Sequence, residues 1–119
     1  DPLIQPLGWR PPNSIEGTKY IKSLYPDFTF HHIKSGVFFD SGFDFSKYNR
    51  KFVFIDGDHS YEGALADVKN AVKYGFDFIV VDDTSYIPHI EKAVKDGMTS
   101  NYDFTRLPLW NGLNLLVKK

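Results

Sequence analysis

Phe52-Val53-Phe54-Ile55-Asp56-Gly57-Asp58-His59 is the stretch on which the fold turns. Four apolar residues run without alternation and stop at acids. An unbroken apolar run of this length suits a strand buried on both faces, whereas a half-exposed strand alternates. Tyr61 to Tyr74 then places Ala64, Leu65, Val68, Ala71 and Val72 on one helical face, and Gly75 ends the helix. A second apolar run, Phe76 to Val81, leads into Asp82-Asp83-Thr84. Strand, helix and strand in that order predict a parallel pair joined by a right-handed crossover.

Outward from this centre the pattern continues. Asp1 to Asn13 holds four of the seven prolines and reads as an extended loop before the α/β core of 14–119. Ser14 is expected to cap a helix from Ile15 to Tyr25, with Glu16 early and Lys22 late as the helix dipole prefers. Phe28 to Ile33 alternates and is aromatic-rich, which predicts a strand. Ser35 to Asn49 reads as loop. Downstream, Pro88 to Asp96 reads as a helix ended by Gly97. Tyr102 to Leu107 and Leu113 to Val117 are the last strands, joined around Trp110-Asn111-Gly112 as an antiparallel hairpin. The fold class expected is α/β, with parallel strands, helices on the faces of the sheet and a carboxy-terminal antiparallel hairpin.

Composition narrows the function classes. With 119 residues there is room for one domain, and 42% hydrophobic residues with 17% aromatics supply a packed core. A net charge of -1 without a basic stripe gives no electrostatic basis for nucleic-acid binding. No apolar run is long enough to span a bilayer, so no membrane partner is expected. The chain has no cysteine, which removes disulfides and thiolate metal sites and fits a cytoplasmic setting. Asp1-Pro2 opens the chain with neither a basic start nor an apolar segment, so no signal peptide is expected. The lack of an initiator Met suggests a piece of something longer or a processed chain.

Ligands of open parallel sheets bind outside the carboxyl ends of the strands. Asp56, Asp58 and His59 follow one strand, and Asp82 and Asp83 follow the next. Clustered like charges repel and persist with a compensating cation or proton. Asp56, Asp82 and Asp83 suit a hard divalent metal held through carboxylate oxygens. Histidine titrates near neutrality, which makes His59 the natural general base for a substrate hydroxyl. His31 and His32 are neighbours in a predicted strand and face opposite ways, so they read as structural. His89 reads as a solvated helix residue. Tyr61 and Tyr86 flank the rim, where packing and pocket-lining roles both remain open. Trp110 and Asn111 read as turn chemistry.

Phe54-Ile55-Asp56-Gly57-Asp58-His59-Ser60-Tyr61-Glu62-Gly63, then Asp67, then Phe78-Ile79-Val80-Val81-Asp82-Asp83-Thr84, resembles the small-molecule O-methyltransferase branch of class I S-adenosylmethionine-dependent methyltransferases. The resemblance covers roughly Glu16 to Lys118 and implies a Rossmann-like sheet in which these strands are the fourth and fifth of seven. It implies methyl transfer to a hydroxyl of a small molecule, with S-adenosylmethionine as cofactor and magnesium or another divalent cation in some members. Asp56, Asp82 and Asp83 match the metal-binding acids of the family's metal-dependent members, and His59 matches a position that serves as base in some of them; Asp56 also counts with the cofactor-binding and catalytic positions. Ser35 and Gly36 match the adenine contact, and Asp1 matches the acid that grips the ribose hydroxyls. The family's glycine-rich turn is missing, since no G-x-G-x-x-G occurs in the chain. The chain therefore corresponds to the carboxy-terminal part of such a domain.

The absent first strands carry a further expectation. In the family's sheet they separate the strands matching Phe28–Ile33 and Phe52–Ile55. Unpaired backbone groups inside a sheet cost about 1–3 kcal/mol each when buried. Direct pairing of the two edges, or a second copy over them, removes that cost, and a twofold homo-oligomer is expected. Leu3 to Trp9 and Val37 to Phe45 offer apolar surface for it. Two other readings of function stand beside the methyltransferase. One is a catalytically inactive, truncated or oligomeric α/β module. The other is a haloacid-dehalogenase-like phosphatase, with Asp56 as nucleophile and Asp58 as acid/base.

Overall fold

The structure is a computed structural model that describes residues 11–119, with side chains from Glu16 onward. It divides into two compact units, Asp1–Ser41 and Gly42–Lys119.

In the first unit, α1 spans Pro11–Leu24 and α2 spans Ser35–Phe39. Pro11 and Pro12 open α1, where proline's fixed φ suits the first turn and its missing N–H costs nothing. The helix thus starts earlier than expected, and Ser14 lies inside it rather than capping it. Leu24 ends it, and Tyr25 N–H still donates to Ile21 O at 2.8 Å. The expected strand at 28–33 is not formed. These residues are coil, held by contacts such as Phe28 N–H to Tyr25 O at 2.9 Å. Alternation alone does not make a strand when no second strand accepts its hydrogen bonds. His31 rests against the Phe38 ring at 5.0 Å, and Phe30 stacks on His32 at 6.1 Å. Both histidines are exposed.

The second unit is a four-stranded mixed α/β layer. Its strands are β1 (Phe52–Ile55), β2 (Phe78–Asp82), β3 (Tyr102–Leu107) and β4 (Leu113–Lys118), in the order β1-β2-β4-β3. Phe52 pairs with Phe78 and Ile55 with Val81 in a parallel ladder, as expected from the strand–helix–strand reading. The last strand enters antiparallel between β2 and β3, with Ile79 opposite Leu116 and Phe104 opposite Leu116 on its two sides. Between them, α3 spans Tyr61–Lys73 and α4 spans Pro88–Gly97. Ser60 caps α3, its Oγ accepting from Gly63 N–H at 3.0 Å. Gly75, at φ +69°, closes the helix, and Phe76 N–H returns to Ala71 O at 3.0 Å. The stretch Ser35 to Asn49, expected as loop, instead holds α2 in the first unit and, in this one, a short 3-10 turn over Phe45–Lys47. Asp44 caps it through a 3.0 Å bond from Ser46 N–H.

Both helices lie on one face of this sheet. Ile55, Ile79, Val81, Leu116 and Tyr102 point to that face and are buried with Val68, Ala71, Ile90 and Val94. Glu91 of α4 is tied to the same face, because Arg106 Nε and Nη2 donate to it at 2.8 and 2.7 Å and Asn114 Nδ2 at 3.0 Å. The opposite face carries Phe52, Phe54 and Phe78, which are 61%, 50% and 40% exposed. The expectation that β1 is buried on both faces is therefore corrected. Its unbroken apolar run reflects one face in the core and one left open. Among the described residues no helix is long and apolar enough to cross a membrane.

Candidate functional site

The carboxyl ends of β1 and β2 stand side by side, because the two strands are adjacent and parallel. Asp56 leaves β1 and Asp83 leaves β2 at this rim. His59, four residues past the end of β1, folds back between them. Its Nε2 lies 3.1 Å from Asp83 Oδ2 and 3.7 Å from Asp56 Oδ1. One ligand atom from each of Asp56, His59 and Asp83 falls within 4.8 Å of the others. The adjacent parallel strands are as the pattern predicts, but the group that converges is Asp56, His59 and Asp83, and Asp82, expected among the metal ligands, is not part of it.

Local chemistry explains how each side chain is held. Asp58 Oδ1 accepts from Ser60 N–H at 2.8 Å, so Asp58 shapes the turn that starts α3. His89 of α4 donates from Nε2 to the His59 carbonyl at 2.5 Å, bracing the loop that carries the His59 ring. Asp82 Oδ1 accepts from Asp83 N–H at 2.8 Å. Asp83 adopts φ +61°, a left-handed conformation that costs a non-glycine residue about 1–2 kcal/mol. Such an outlier points to a constraint worth keeping at a site. Behind it, Ser85 and Tyr86 N–H both donate to Asn111 O, at 3.0 and 3.1 Å, so the β3–β4 turn props the loop that carries Asp83. Gly112, at φ +80°, makes that approach feasible. A Cβ there would lie 2.5 Å from Ser85 N and closer still to its Oγ.

The electrostatics agree with a site short of positive charge. Asp56 has its carboxyl pushed above the usual carboxylate range, first by burial and then by the charges of Asp82 and Asp83. A hydrogen bond with His59 works in the opposite direction. Asp56 and His59 remain about half exposed, so a ligand can reach them from solvent, while Asp83 is more deeply set.

Other predicted residues take different places. Ser35 and Gly36 form the first turn of α2 in the first unit. Asp1 lies outside the described residues. Tyr61 donates its hydroxyl to Asp96 Oδ2 at 2.6 Å, joining α3 to α4. Tyr86 and Trp110 are 71% and 90% exposed, and Asn111 contributes its backbone carbonyl. A shallow groove of about 370 Å³, lined by Thr18, Lys19, Lys22, Phe28, Thr29 and Phe30, belongs to the first unit and includes none of the rim residues. Two supports were not visible as pattern, His89 and the Asn111 carbonyl. Both act through backbone groups that sequence spacing does not encode.

No protein-family model, curated protein or solved structure matches this chain.

Proposed function

We propose that the chain is the carboxy-terminal part of a Rossmann-like, S-adenosylmethionine-dependent methyltransferase domain that methylates a hydroxyl of a small molecule. The observation that carries this reading is the gathering of Asp56, His59 and Asp83 at the carboxyl ends of two adjacent parallel strands. Ligands of open α/β sheets bind at such ends. The sequence motif around Asp56 and Asp82-Asp83 adds the resemblance to the O-methyltransferase branch.

S-adenosylmethionine, when bound, supplies the methyl group, and a divalent cation supplies a positive charge for the hydroxyl oxygen. The donor set fits such a cation, with two carboxylates and an imidazole nitrogen converging from separate loops. A proton on His59 Nε2 and a cation compete for the same gap, since Nε2 faces both carboxylates. With Nε2–H donated to Asp83, Nδ1 is the atom left to take the proton of the acceptor hydroxyl; a cation bound to Nε2 would put the ring's proton on Nδ1, so this role requires the cation to be held by the two carboxylates. Asp83 orients the ring as an acceptor at 3.1 Å, which sets the tautomer this role requires. Asp56, about half exposed, would help hold the cation that offsets charge on the substrate oxygen.

The phosphatase alternative needs Asp58 free as acid/base. Its engagement with Ser60 N–H weighs against that role. The test of the proposal is transfer of labelled methyl from S-adenosylmethionine to catechol- or phenol-type hydroxyls by the complete protein. Transfer that falls roughly 10²–10⁴-fold in His59→Gln supports the reading. No transfer, with magnesium-dependent hydrolysis of a generic phosphate ester instead, overturns it. The 119-residue chain alone is expected to bind S-adenosylhomocysteine weakly or not at all, since it has no glycine-rich turn.

A further inference from the structure

The outer edge of β1 carries the strongest unspent chemistry in the second unit. Among the described residues β1 pairs with β2 only. Lys51 O accepts from Asp77 and Phe78 N–H, so the backbone of Lys51, and by strand alternation of Val53 and Ile55, faces β2. The N–H and C=O groups of Phe52 and Phe54 then point outward along the open edge. Their side chains are also the exposed ones, on the uncovered face of the sheet. A bare apolar edge of this kind is a template for another strand.

The sequence along that edge is complementary to itself when reversed. Arg50-Lys51 precede the apolar run and Asp56-Gly57-Asp58 follow it. Two copies related by a twofold axis through the edge must run antiparallel, which sets each basic end beside the other copy's acidic end. Faces match across the axis only in even registers, because opposed residues share a face. Centring on Val53 places Phe52 opposite Phe54 on both sides of the axis. All four outward backbone groups of each copy then bond to the other, and two aromatic cross-strand pairs form on the open face. One step further along the same register, Arg50 stands opposite Asp56.

We propose that β1 is the interface strand of a twofold dimer, paired antiparallel with its copy about Val53, so that the partner's Arg50 reaches the Asp56 end of the rim cluster. The occupant of the edge is a second copy of this chain, and charge complementarity at both ends of the strand selects it. The proposal concerns the 119-residue chain, in which this edge is open among the described residues; in a complete domain of the kind proposed above, a strand of the amino-terminal part would take the same edge. The pairing concerns which groups surround Asp56, whatever the rim transforms. In the dimer a cation from one subunit offsets the excess negative charge of the other's site.

The test is the solution mass of the 119-residue chain and of charge-reversed variants, with circular dichroism as the check on folding. The wild-type chain should have about twice the 13.7 kDa of one chain. Arg50→Asp should give monomers, and Arg50→Asp with Asp56→Arg should restore the dimer. The chain has no cysteine, so single cysteines report the register directly. Val53→Cys should cross-link on mild oxidation, since a non-hydrogen-bonded antiparallel pair brings Cα atoms to about 4.5 Å. A monomeric wild-type chain overturns the proposal, as does a dimer that survives Arg50→Asp without cross-linking at Val53→Cys. Cross-linking by Phe54→Cys in place of Val53→Cys overturns the register. Slow hydrogen exchange at the Phe52 and Phe54 amides of a monomer overturns the choice of occupant, because a strand of the same chain then covers the edge.

Discussion

His59 Nε2 stands 3.1 Å from Asp83 Oδ2, although the two residues leave different strands. The contact links the loop after β1 to the loop after β2 at the rim. It means that one proton or one cation, placed between them, is felt by both loops. His89 holds the first loop through the His59 carbonyl, and Asn111 holds the second through Ser85 and Tyr86. The rim is thus supported on both sides before any ligand arrives, which is what a positioned site needs.

In a monomeric background, where no second copy's Arg50 faces the site, Asp56→Asn should stabilise the metal-free protein at neutral pH. Burial and the neighbouring Asp82 and Asp83 raise the folded-state pKa of Asp56. The folded state then binds more protons than the unfolded one between the ordinary value of 3.8 and the raised one. Stability therefore falls as pH rises through that window, and the charge remains unfavourable above it. Thermal melts of the two proteins should converge as pH falls below the window. A variant that melts lower than wild type at neutral pH contradicts this account.

Gly112→Ala should destabilise the fold by more than about 1–2 kcal/mol, the usual cost of forcing a side chain into the left-handed region. The added Cβ also meets the Ser85 backbone nitrogen at 2.5 Å, so the loop behind Asp83 has to move. Chemical denaturation measures the first effect. A weaker divalent-ion affinity in the folded variant measures the second.

Glu91 contributes stability to the second unit that acid removes. The Arg106 fork, with help from Asn114, holds its carboxyl at about 2, down from the ordinary 4.5. This depressed value contributes stability that is complete above the ordinary pKa and is lost as pH falls from about 4.5 toward 2. Glu91→Gln should cost about 1.5–3 kcal/mol at neutral pH, as for a hydrogen bond to a charged group. It should also flatten the acid limb of the stability profile. An unchanged acid limb would show that the α4–β3–β4 contact is made elsewhere.

Much of the second unit was legible because its signals were redundant. β1, α3, β2, α4, β3 and β4 each combine an apolar pattern with a terminator such as Gly75 or Gly97, and their bounds agree with expectation to within a few residues. The rim followed from them, since two parallel strands separated by one helix bring Asp56 and Asp83 together. The first unit was less legible. Phe28–Ile33 has strand-like alternation, but a strand depends on a partner, which no local pattern supplies. Pro11-Pro12 read as loop although two prolines are compatible with a helix's first turn. The exposure of Phe52 and Phe54 was hidden for a related reason. An apolar run shows which residues suit burial but not which neighbours are present to bury them. His59's place among the ligand atoms, ahead of Asp82, depends on the turn set by Asp58 and Ser60, which is geometry finer than residue spacing.

Titration of the chain with Mn²⁺, followed by the loss of the free-ion paramagnetic signal, tests the central claim that Asp56, His59 and Asp83 form one site. A single saturable ion should bind per chain. Its affinity should fall at least about tenfold in Asp83→Asn, and should weaken as pH drops because protons compete for Asp56, whose carboxyl is held above its ordinary range. An absence of saturable binding at neutral pH, or an affinity the same in wild type, Asp56→Asn and Asp83→Asn, would contradict it.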